Sequence, residues 1–240
     1  MSIVRKVEAV IDEVIPHSEN VYSIFFRSAY RMPSFRPGQF LHLALEPYDP
    51  SRQWPESRVF SIANSPTRVS RTRITFAAKG SFTRRMIQQA EIGRKVWLKL
   101  PYGSFTFENS DRAKTLIAGG TGITPFVSYL EYVADTRATS PISLYYGVRS
   151  PDLVIFETLL DECREKIRDF NLKLFIEQGS YGSGAFERGR LDISRIVAGM
   201  SAGQVRDFYL SGPLEMVKTF KSQLLERSID ESNIMIDDWG

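Results

Sequence analysis

Short runs in which hydrophobic residues alternate with polar ones fill the chain up to about residue 108. The runs are rich in β-branched and aromatic residues, and glycine and proline separate them, which favours strands and turns. They are VYSIFFRS (21–28), QFLHLAL (39–45), VFSIAN (59–64), TRITFAA (72–78) and RKVWLKL (94–100). One helix is predicted near FTRRMIQQA (82–90). This pattern indicates an antiparallel β-barrel or sandwich.

The pattern changes after about residue 113, where apolar runs alternate with longer amphipathic segments. The predicted strands are 113–119, 142–148, 172–177, 207–212 and 233–237, and the predicted helices are 125–135, 151–170 and 213–227. Ser150 and Pro151 fit the N-cap and the first position of the second helix. Strand–helix alternation predicts a doubly wound parallel sheet. The sequence therefore predicts two domains, 1–110 and 111–240.

Composition narrows the classes of function. The chain has 31 basic and 28 acidic residues and a formal net charge of +3, which does not favour nucleic-acid binding. A single cysteine, Cys163, and two histidines leave no basis for an intrachain disulfide, an iron–sulfur cluster or another metal site. No apolar stretch is long enough for a membrane span, and the first residues do not form a signal peptide, so we expect a cytoplasmic protein without an integral membrane segment.

The stretch LIAGGTGITPF (116–126) joins a predicted strand to a predicted helix, which is where doubly wound sheets bind phosphates. Gly120 and Gly122 allow close backbone approach, and the helix start offers free N–H groups to an anion. Pro125 fits the first helical turn. No lysine follows to make it an ATP-type phosphate loop, and proline replaces the third glycine of the common dinucleotide motif. A tight turn without a ligand remains the alternative.

Several other segments lie where they could share a ligand. KGSFTRRM (79–86) places glycine and hydroxyl groups before a helix, and RVFSIANSP (58–66) lies on a strand of the first half. YYGVRS (145–150) and YLSGPLEMV (209–217) end two strands of the second half. The carboxyl ends of parallel strands meet at one edge of a sheet, so these last two segments are expected beside the glycine loop.

These motifs, in this order, resemble the ferredoxin–NADP reductase family of flavoproteins. The resemblance rests on RVFS (58–61), PYGSF (101–105), GGTGITP (119–125) and SGPLEMV (211–217), and it covers nearly the whole chain. It implies an FAD-binding antiparallel β-barrel followed by a Rossmann-like NAD(P)-binding domain, with FMN less expected than FAD. The implied reaction is hydride transfer from the nicotinamide to the flavin, whose chemistry the protein directs by positioning.

The family motifs assign roles to particular residues. On the flavin side, Arg58 would pair with a phosphate, Phe60 would lie against the isoalloxazine ring and Ser61 would sit near flavin N5. Val59 between them is also counted as a cofactor-binding residue. The flavin pyrophosphate would contact Gly80, Ser81 and Thr83. On the nucleotide side, the resemblance implies the set Gly120, Thr121, Gly122, Pro125, Ser211, Gly212 and Pro213.

Two substitutions and the chain end depart from the plant-type pattern. Phe60 replaces a tyrosine and Ser211 replaces a cysteine. The ending IDDWG (236–240) is similar to bacterial members, so Trp239 would cover the other flavin face with Asp237 and Asp238 nearby. Ser61, Ser211, Asp238 and Trp239 are thus the candidate catalytic residues.

The choice of nucleotide depends on charge near the adenosine ribose. Arg149, after the second strand of the sheet, could bind a 2′-phosphate, whereas Glu177, after the third, would repel it and could bond a ribose hydroxyl. On balance the sequence favours NADH over NADPH.

The acceptor must be external, since one cysteine cannot hold a cluster. Ferredoxin, flavodoxin or an oxygenase component is expected, and a free-flavin, quinone or ferric reductase is the alternative. A flavin-binding subunit without independent turnover, or a nucleotide-binding scaffold without flavin, also remains open. A basic rim would either steer an acidic acceptor or be an ordinary solvated face. Its residues are Arg68, Arg71, Arg73, Lys79, Arg84 and Arg85.

Overall fold

A computed structural model describes residues 3–108, 110–180, 182, 186–198, 200 and 205–238 of the chain. The chain divides into two compact units. The first comprises Met1–Phe107 together with Val127–Tyr132, and the second comprises Glu108–Phe126 and Val133–Gly240. Each unit has its own sheet and is described by itself.

The first unit is a six-stranded antiparallel sheet in the order β4-β3-β6-β1-β2-β5. Its strands are β1 (Arg5–Ser18), β2 (Val21–Arg27), β3 (Phe40–Ala44), β4 (Ser57–Ser61), β5 (Arg71–Ala77) and β6 (Lys95–Tyr102). Just past the edge strand β4, the Ala63 N–H donates to the carbonyl of Arg73 in the other edge strand at 2.7 Å. The sheet therefore rolls up into the predicted barrel.

Alternation along the strands fills the barrel core. Leu41 and Leu43 of β3 are fully buried, and Leu98 and Leu100 of β6 are buried on the same inner side. Helix α1 (Ser81–Gln88) closes the core with Phe82 and Met86. Each side chain of this size contributes about 1.5–3 kcal/mol when it is fully buried.

Strand β1 was not predicted from the sequence, although it is 14 residues long and pairs with both β2 and β6. Charged residues interrupt its apolar pattern, because only one side of the strand faces the core. Glu8 and Lys95, for example, lie on adjacent strands and form an exposed ion pair at 2.9 Å.

The second unit is a parallel sheet in the order β10-β9-β8-β7-β11-β12. Its strands are β7 (Ala113–Gly119), β8 (Ile142–Val148), β9 (Phe170–Ile176), β10 (Phe186–Arg188), β11 (Arg206–Ser211) and β12 (Ile234–Ile236). Its helices are α2 (Thr124–Thr136), α3 (Glu157–Lys166), α4 (Ile193–Ala198) and α5 (Leu214–Glu226). Every residue of β7 is buried, as expected for a central parallel strand. The predicted fold class is confirmed.

The helix predicted over 151–170 is present but shorter, as α3 spans only Glu157–Lys166. Pro151–Leu153 forms only a short 3₁₀ turn, and Phe156 then takes a left-handed backbone conformation with φ of 66°. Because a left-handed residue cannot continue a right-handed helix, α3 starts only at Glu157. Phe170, predicted as the helix end, begins strand β9 instead.

Strand order identifies the point where a ligand crevice is expected. From β7 the chain continues to β8 on one side, whereas β11 lies on the other side. This reversal makes the carboxyl ends of β7 and β11 a topological switch point, which is where open α/β sheets bind ligands. Among the described residues, no helix is both long enough and apolar enough to cross a membrane.

Candidate functional site

The glycine loop lies at this switch point. A 3₁₀ turn over Gly120–Ile123 leads from β7 directly into α2, whose first turn contains Pro125 as predicted. The Thr124 hydroxyl donates to the carbonyl of Thr121 at 2.6 Å and closes the turn. The first turn of α2 contains no acidic residue, so the positive end of its dipole is available to an anion.

The glycines of this loop have different tasks. Gly120 has φ of 55°, and the space where a Cβ would project from it is open. A Cβ on Gly122, by contrast, would lie 2.5 Å from the Ser211 carbonyl carbon and 2.6 Å from the Gly212 Cα. Sequence reasoning assigned both glycines to a ligand, but the backbone that approaches Gly122 is the protein's own turn after β11. At Gly120 the Cβ side is open, whereas at Gly122 it faces this turn, and the assignment of both glycines to a nucleotide stays a prediction.

The turn after β11 is packed as tightly as the glycine loop. A Cβ on Gly119 would lie 2.8 Å from the Met216 sulfur and 2.9 Å from the Pro213 Cδ. Gly212 has φ of 153°, and a Cβ there would lie 2.7 Å from the Met216 methyl carbon. Met216 is therefore a structural part of the site that sequence reasoning did not assign, although it lies in the SGPLEMV motif.

Ser211 and Asp237 form a buried pair at the end of β11. The Ser211 hydroxyl donates to Asp237 Oδ2 at 2.9 Å, and the Asp237 N–H donates to the carbonyl of Leu210, also at 2.9 Å. Asp238 is exposed, and Trp239 lies outside the described residues. The structure thus places one of the two terminal aspartates beside Ser211. The serine oxygen keeps its lone pairs for a further hydrogen bond.

Arg149 and Glu177 are brought together at the carboxyl ends of β8 and β9, at the same edge of the sheet as the glycine loop. The N–H of Gln178, next to Glu177, donates to the carbonyl of Arg149 at 2.9 Å. Arg149 is exposed, and the Glu177 carboxylate lies 2.9 Å from the Arg190 guanidinium. The Glu177 carboxylate can therefore accept a hydrogen bond and would repel a phosphate. The charge of Arg190 partly offsets that repulsion.

The first unit carries the candidate flavin residues on β4. The guanidinium of Arg58 is half exposed, lies 3.0 Å from Glu56 and covers the Phe82 ring at 5.1 Å. Exposed ion pairs contribute about 0–1 kcal/mol, so an anionic ligand can displace Glu56 at little cost. Arg58 is thus positioned by Phe82 and available to a phosphate.

Phe60 and Ser61 are both buried in the barrel unit. Phe60 is only 8% exposed, and its ring centroid lies 5.4 Å from that of Phe76 in the barrel core. Ser61 is also buried, and Val59 is half-buried on the other side of the strand. Phe60 thus packs against the barrel core, and its role beside a flavin stays a prediction. The reason for this packing is the pleat of β4, which points Phe60 inward opposite Leu41.

The start of α1 has the features of an anion site. Thr83 Oγ1 accepts from the Gly80 N–H at 3.1 Å and fixes the turn, and nothing lies within 4 Å of the place where a Gly80 Cβ would project. The first turn, which begins at Ser81, contains no acidic residue. Backbone donors at a helix start, an open approach and the arginine on the adjacent strand together suit a phosphate.

Sequence reasoning missed a buried ion pair near Ser61. Arg73 lies 2.7 Å from Glu131 Oε1, and the other carboxylate oxygen accepts from the Ser65 N–H at 2.9 Å. The guanidinium also donates to the carbonyl of Ala63. Burial lowers the pKa of Arg73 from its ordinary value, and the charge of Glu131 opposes that shift. A glutamate among the mostly apolar residues of PFVSYLEYVAD (125–135) was the available signal.

The basic rim predicted from the sequence is largely neutralised. Arg71 lies 2.9 Å from Asp12 and 2.6 Å from Glu13, and Arg85 lies 2.9 Å from Glu46. Arg68 is near the Glu131 that holds Arg73. Lys79 and Arg84, however, form no ion pair with a carboxylate in the described part of the chain, so a role of the rim in steering stays a prediction.

Both units are similar to parts of known proteins. Residues 116–222 match the family model of the oxidoreductase NAD-binding domain. The chain is 27% identical over 205 residues to the electron transfer component of anthranilate 1,2-dioxygenase from Acinetobacter baylyi. The aligned segment covers 83% of this chain and 57% of the relative. The chain thus spans little more than half the length of that relative.

Solved structures have the same fold. A cytochrome P450 reductase from Amycolatopsis has a TM-score of 0.85 at 20% identity and covers 100% of this chain and 71% of its own. The FAD/NAD-binding domain of nitric oxide dioxygenase from Vibrio cholerae has a TM-score of 0.82 at 20% identity. The match covers 96% of this chain and 97% of that domain. The chain therefore has the same fold as these reductases and contains, over residues 116–222, a match to an oxidoreductase NAD-binding domain, in agreement with the resemblance drawn from the motifs.

Proposed function

We propose that the protein is an NADH-dependent flavoprotein reductase that passes electrons to an external acceptor protein. The observation that supports this most directly is the glycine loop at the switch point of the parallel sheet, where Gly120 leaves open space before the start of α2. The barrel unit supplies a second anion cradle at Arg58 and the start of α1. One dinucleotide site and one flavin site are what such a reductase requires.

The residues of the barrel unit fit FAD rather than exclude it. Arg58 and the N–H groups at Gly80 and Ser81 would hold its phosphates, and Ser61 would lie near its reactive edge. Held there, FAD would supply the capacity for hydride acceptance from NADH and for electron release singly or in pairs. The chain's own contribution is to bind and orient, since hydride transfer needs near-contact geometry.

In the second unit, the loop Gly120–Thr121 and the start of α2 would bind the NADH pyrophosphate. Ser211 keeps a small polar side chain at the end of β11, and its hydrogen bond to Asp237 fixes the hydroxyl direction. A small residue there lets a nicotinamide ring lie close to the strand end. Gly212 and Pro213 then direct α5 away from that position.

The acceptor follows from the relatives. The anthranilate dioxygenase relative is named an electron transfer component, and a propane 2-monooxygenase relative from Mycolicibacterium smegmatis is named a reductase component. We infer that the acceptor here is likewise an oxygenase component or a ferredoxin. The proposed use of NADH fits a cytoplasmic location.

The visible spectrum of the purified protein tests the proposal. We expect a yellow protein with flavin absorbance that bleaches when NADH is added without oxygen. Bleaching that no soluble acceptor reverses would favour the alternative of a flavin-binding subunit without turnover. A colourless protein that takes up neither FAD nor FMN would overturn the proposed function.

Nucleotide preference gives a residue-level prediction. We expect kcat/KM to be higher for NADH than for NADPH, because Glu177 repels a 2′-phosphate and can accept from a ribose hydroxyl. Glu177→Gln should lower the ratio of kcat/KM for NADH to kcat/KM for NADPH by about tenfold. This corresponds to the loss of one charge interaction of about 1.4 kcal/mol. The matched control is Glu187→Gln on the neighbouring strand β10, which removes a carboxylate that is paired with Arg195 of α4. Preference for NADPH in the unmodified protein would refute the assignment.

A further inference from the structure

The four residues that follow β4 are buried, although they form neither a strand nor a helix. Each of residues 62–65 is at most 3% exposed, and we call them segment 62–65. A buried irregular backbone must find protein partners for its N–H and C=O groups, because bulk water does not reach them. The segment begins directly after Ser61, which the proposed function places near the reactive edge of the flavin, so its hydrogen bonds bear on that position.

The barrel supplies the partners for the middle of segment 62–65. The Ala63 N–H donates to the carbonyl of Arg73 at 2.7 Å, and the Arg73 N–H donates in turn to Asn64 Oδ1, also at 2.7 Å. The Arg73 guanidinium donates to the carbonyl of Ala63 at 2.9 Å. These bonds leave the peptide group that joins Asn64 to Ser65 for another element.

Helix α2 binds both polar groups of that peptide. Residues 127–132 of this helix belong to the first unit. The Ser128 hydroxyl donates to the carbonyl of Asn64 at 2.8 Å, and Glu131 Oε2 accepts from the Ser65 N–H at 2.9 Å. Ser128 and Glu131 lie three residues apart on one face of the helix, and both are more than nine-tenths buried. We call these two side chains the peptide clamp, because they hold one peptide plane from both of its edges.

The peptide clamp uses polar groups at a place where apolar ones could fill the space. Burying a carboxylate with its guanidinium partner costs solvation that apolar side chains of similar volume would not lose. Apolar packing is not directional, whereas a hydrogen bond at each edge of a peptide opposes rotation of its plane. Arg73 also holds Glu131 Oε1 at 2.7 Å, so the carboxylate is itself fixed. The clamp therefore specifies a backbone geometry in addition to filling the core.

We propose that Ser128 and Glu131 are positioning residues for the flavin, because by fixing the 64–65 peptide they hold Ser61 where it meets the reactive edge of the ring. This rests on the proposed function. Ser61 lies only three residues before Asn64, and the bonded backbone between them transmits a displacement of the clamped peptide. Since hydride transfer needs near-contact geometry, a shift of about 1 Å can lower its rate about 100-fold.

Ser128→Ala tests the peptide clamp, because it removes the donor to the Asn64 carbonyl at the loss of a single oxygen atom. In stopped-flow reduction of the flavin-loaded protein by NADH without oxygen, we expect the limiting rate to fall at least about tenfold. The apparent Kd for NADH should stay within about twofold, which separates positioning from binding.

The matched control is Ser23→Ala in β2. It removes a hydroxyl that is equally buried in the barrel unit and that lies 2.6 Å from the Thr75 hydroxyl, away from segment 62–65. It should change neither the limiting rate nor the Kd by more than about twofold.

Hydrogen exchange of the flavin-free protein gives a readout that does not depend on catalysis. The Ser65 amide should exchange at least about tenfold faster in Ser128→Ala than in the unmodified protein or in Ser23→Ala, while strand β6 keeps its protection. Ser128→Cys has a similar volume but a weaker donor, so it should show both effects to a smaller extent. It replaces Ser128→Ala in both measurements if the alanine variant does not fold.

A limiting rate in Ser128→Ala that is no lower than in Ser23→Ala would overturn the proposal, and so would Ser65 exchange that is unchanged in both Ser128 variants. An unmodified protein that takes up no flavin would instead count against the proposed function. The exchange of the Ser65 amide would then still decide whether Ser128 orders the segment.

Discussion

Glu131→Gln is expected to lower the free energy of unfolding by about 3 kcal/mol, because it leaves a buried guanidinium without its counter-ion. The Arg73 and Glu131 side chains are only 11% and 6% exposed, so water cannot replace the lost charge. Glu131 also accepts from the Ser65 N–H, which follows closely after Ser61 in the chain. Urea denaturation followed by tryptophan fluorescence measures the loss.

The matched control is an exposed ion pair of similar geometry. Asp161 lies 2.7 Å from Arg164 on the surface of α3, and both side chains are at least half exposed. Asp161→Asn should therefore change the free energy of unfolding by no more than about 0.5 kcal/mol. If Glu131→Gln cost as little as this control, the Arg73 charge would have to be reached by solvent, contrary to the structure.

Most of the fold could be predicted from local pattern. Strands such as 142–148 were recognised because parallel strands buried over most of their length are nearly continuous apolar runs. Strand β1 was missed because one of its faces is charged and solvated. The break at Phe156 was missed because no glycine or proline marks it, and the left-handed conformation depends on surrounding contacts.

The candidate site could be located from motifs, but its contacts could not. Glycine spacing found the loop at 119–125, yet only strand order shows that the Gly122 position is filled by the chain after β11. Likewise, composition found basic residues near the flavin motifs. Which of them meet carboxylates depends on pairing between distant segments, such as Arg71 with Asp12.

Gly120→Ala and Gly122→Ala are expected to separate ligand binding from stability within one loop. At Gly122 the new methyl would meet the Ser211 and Gly212 backbone, which cannot move as a flexible side chain can. We therefore expect a loss of about 3 kcal/mol of unfolding free energy, at the upper end for overpacking. At Gly120 the methyl projects into open space, and the left-handed backbone alone should cost about 1 kcal/mol.

The same two variants should also differ in their affinity for NADH. Because the open space at Gly120 is where the proposed pyrophosphate lies, Gly120→Ala should weaken NADH binding by at least about tenfold, or about 1.4 kcal/mol, while the protein stays folded. Fluorescence titration with NADH, beside urea denaturation of each variant, measures the two effects separately. A Gly120→Ala protein that binds NADH as tightly as the unmodified chain would remove the nucleotide from this loop. A Gly122→Ala protein of unchanged stability would show that the backbone of the turn after β11 can move away from the added methyl group. The close approach of Ser211 would then not explain the glycine at position 122.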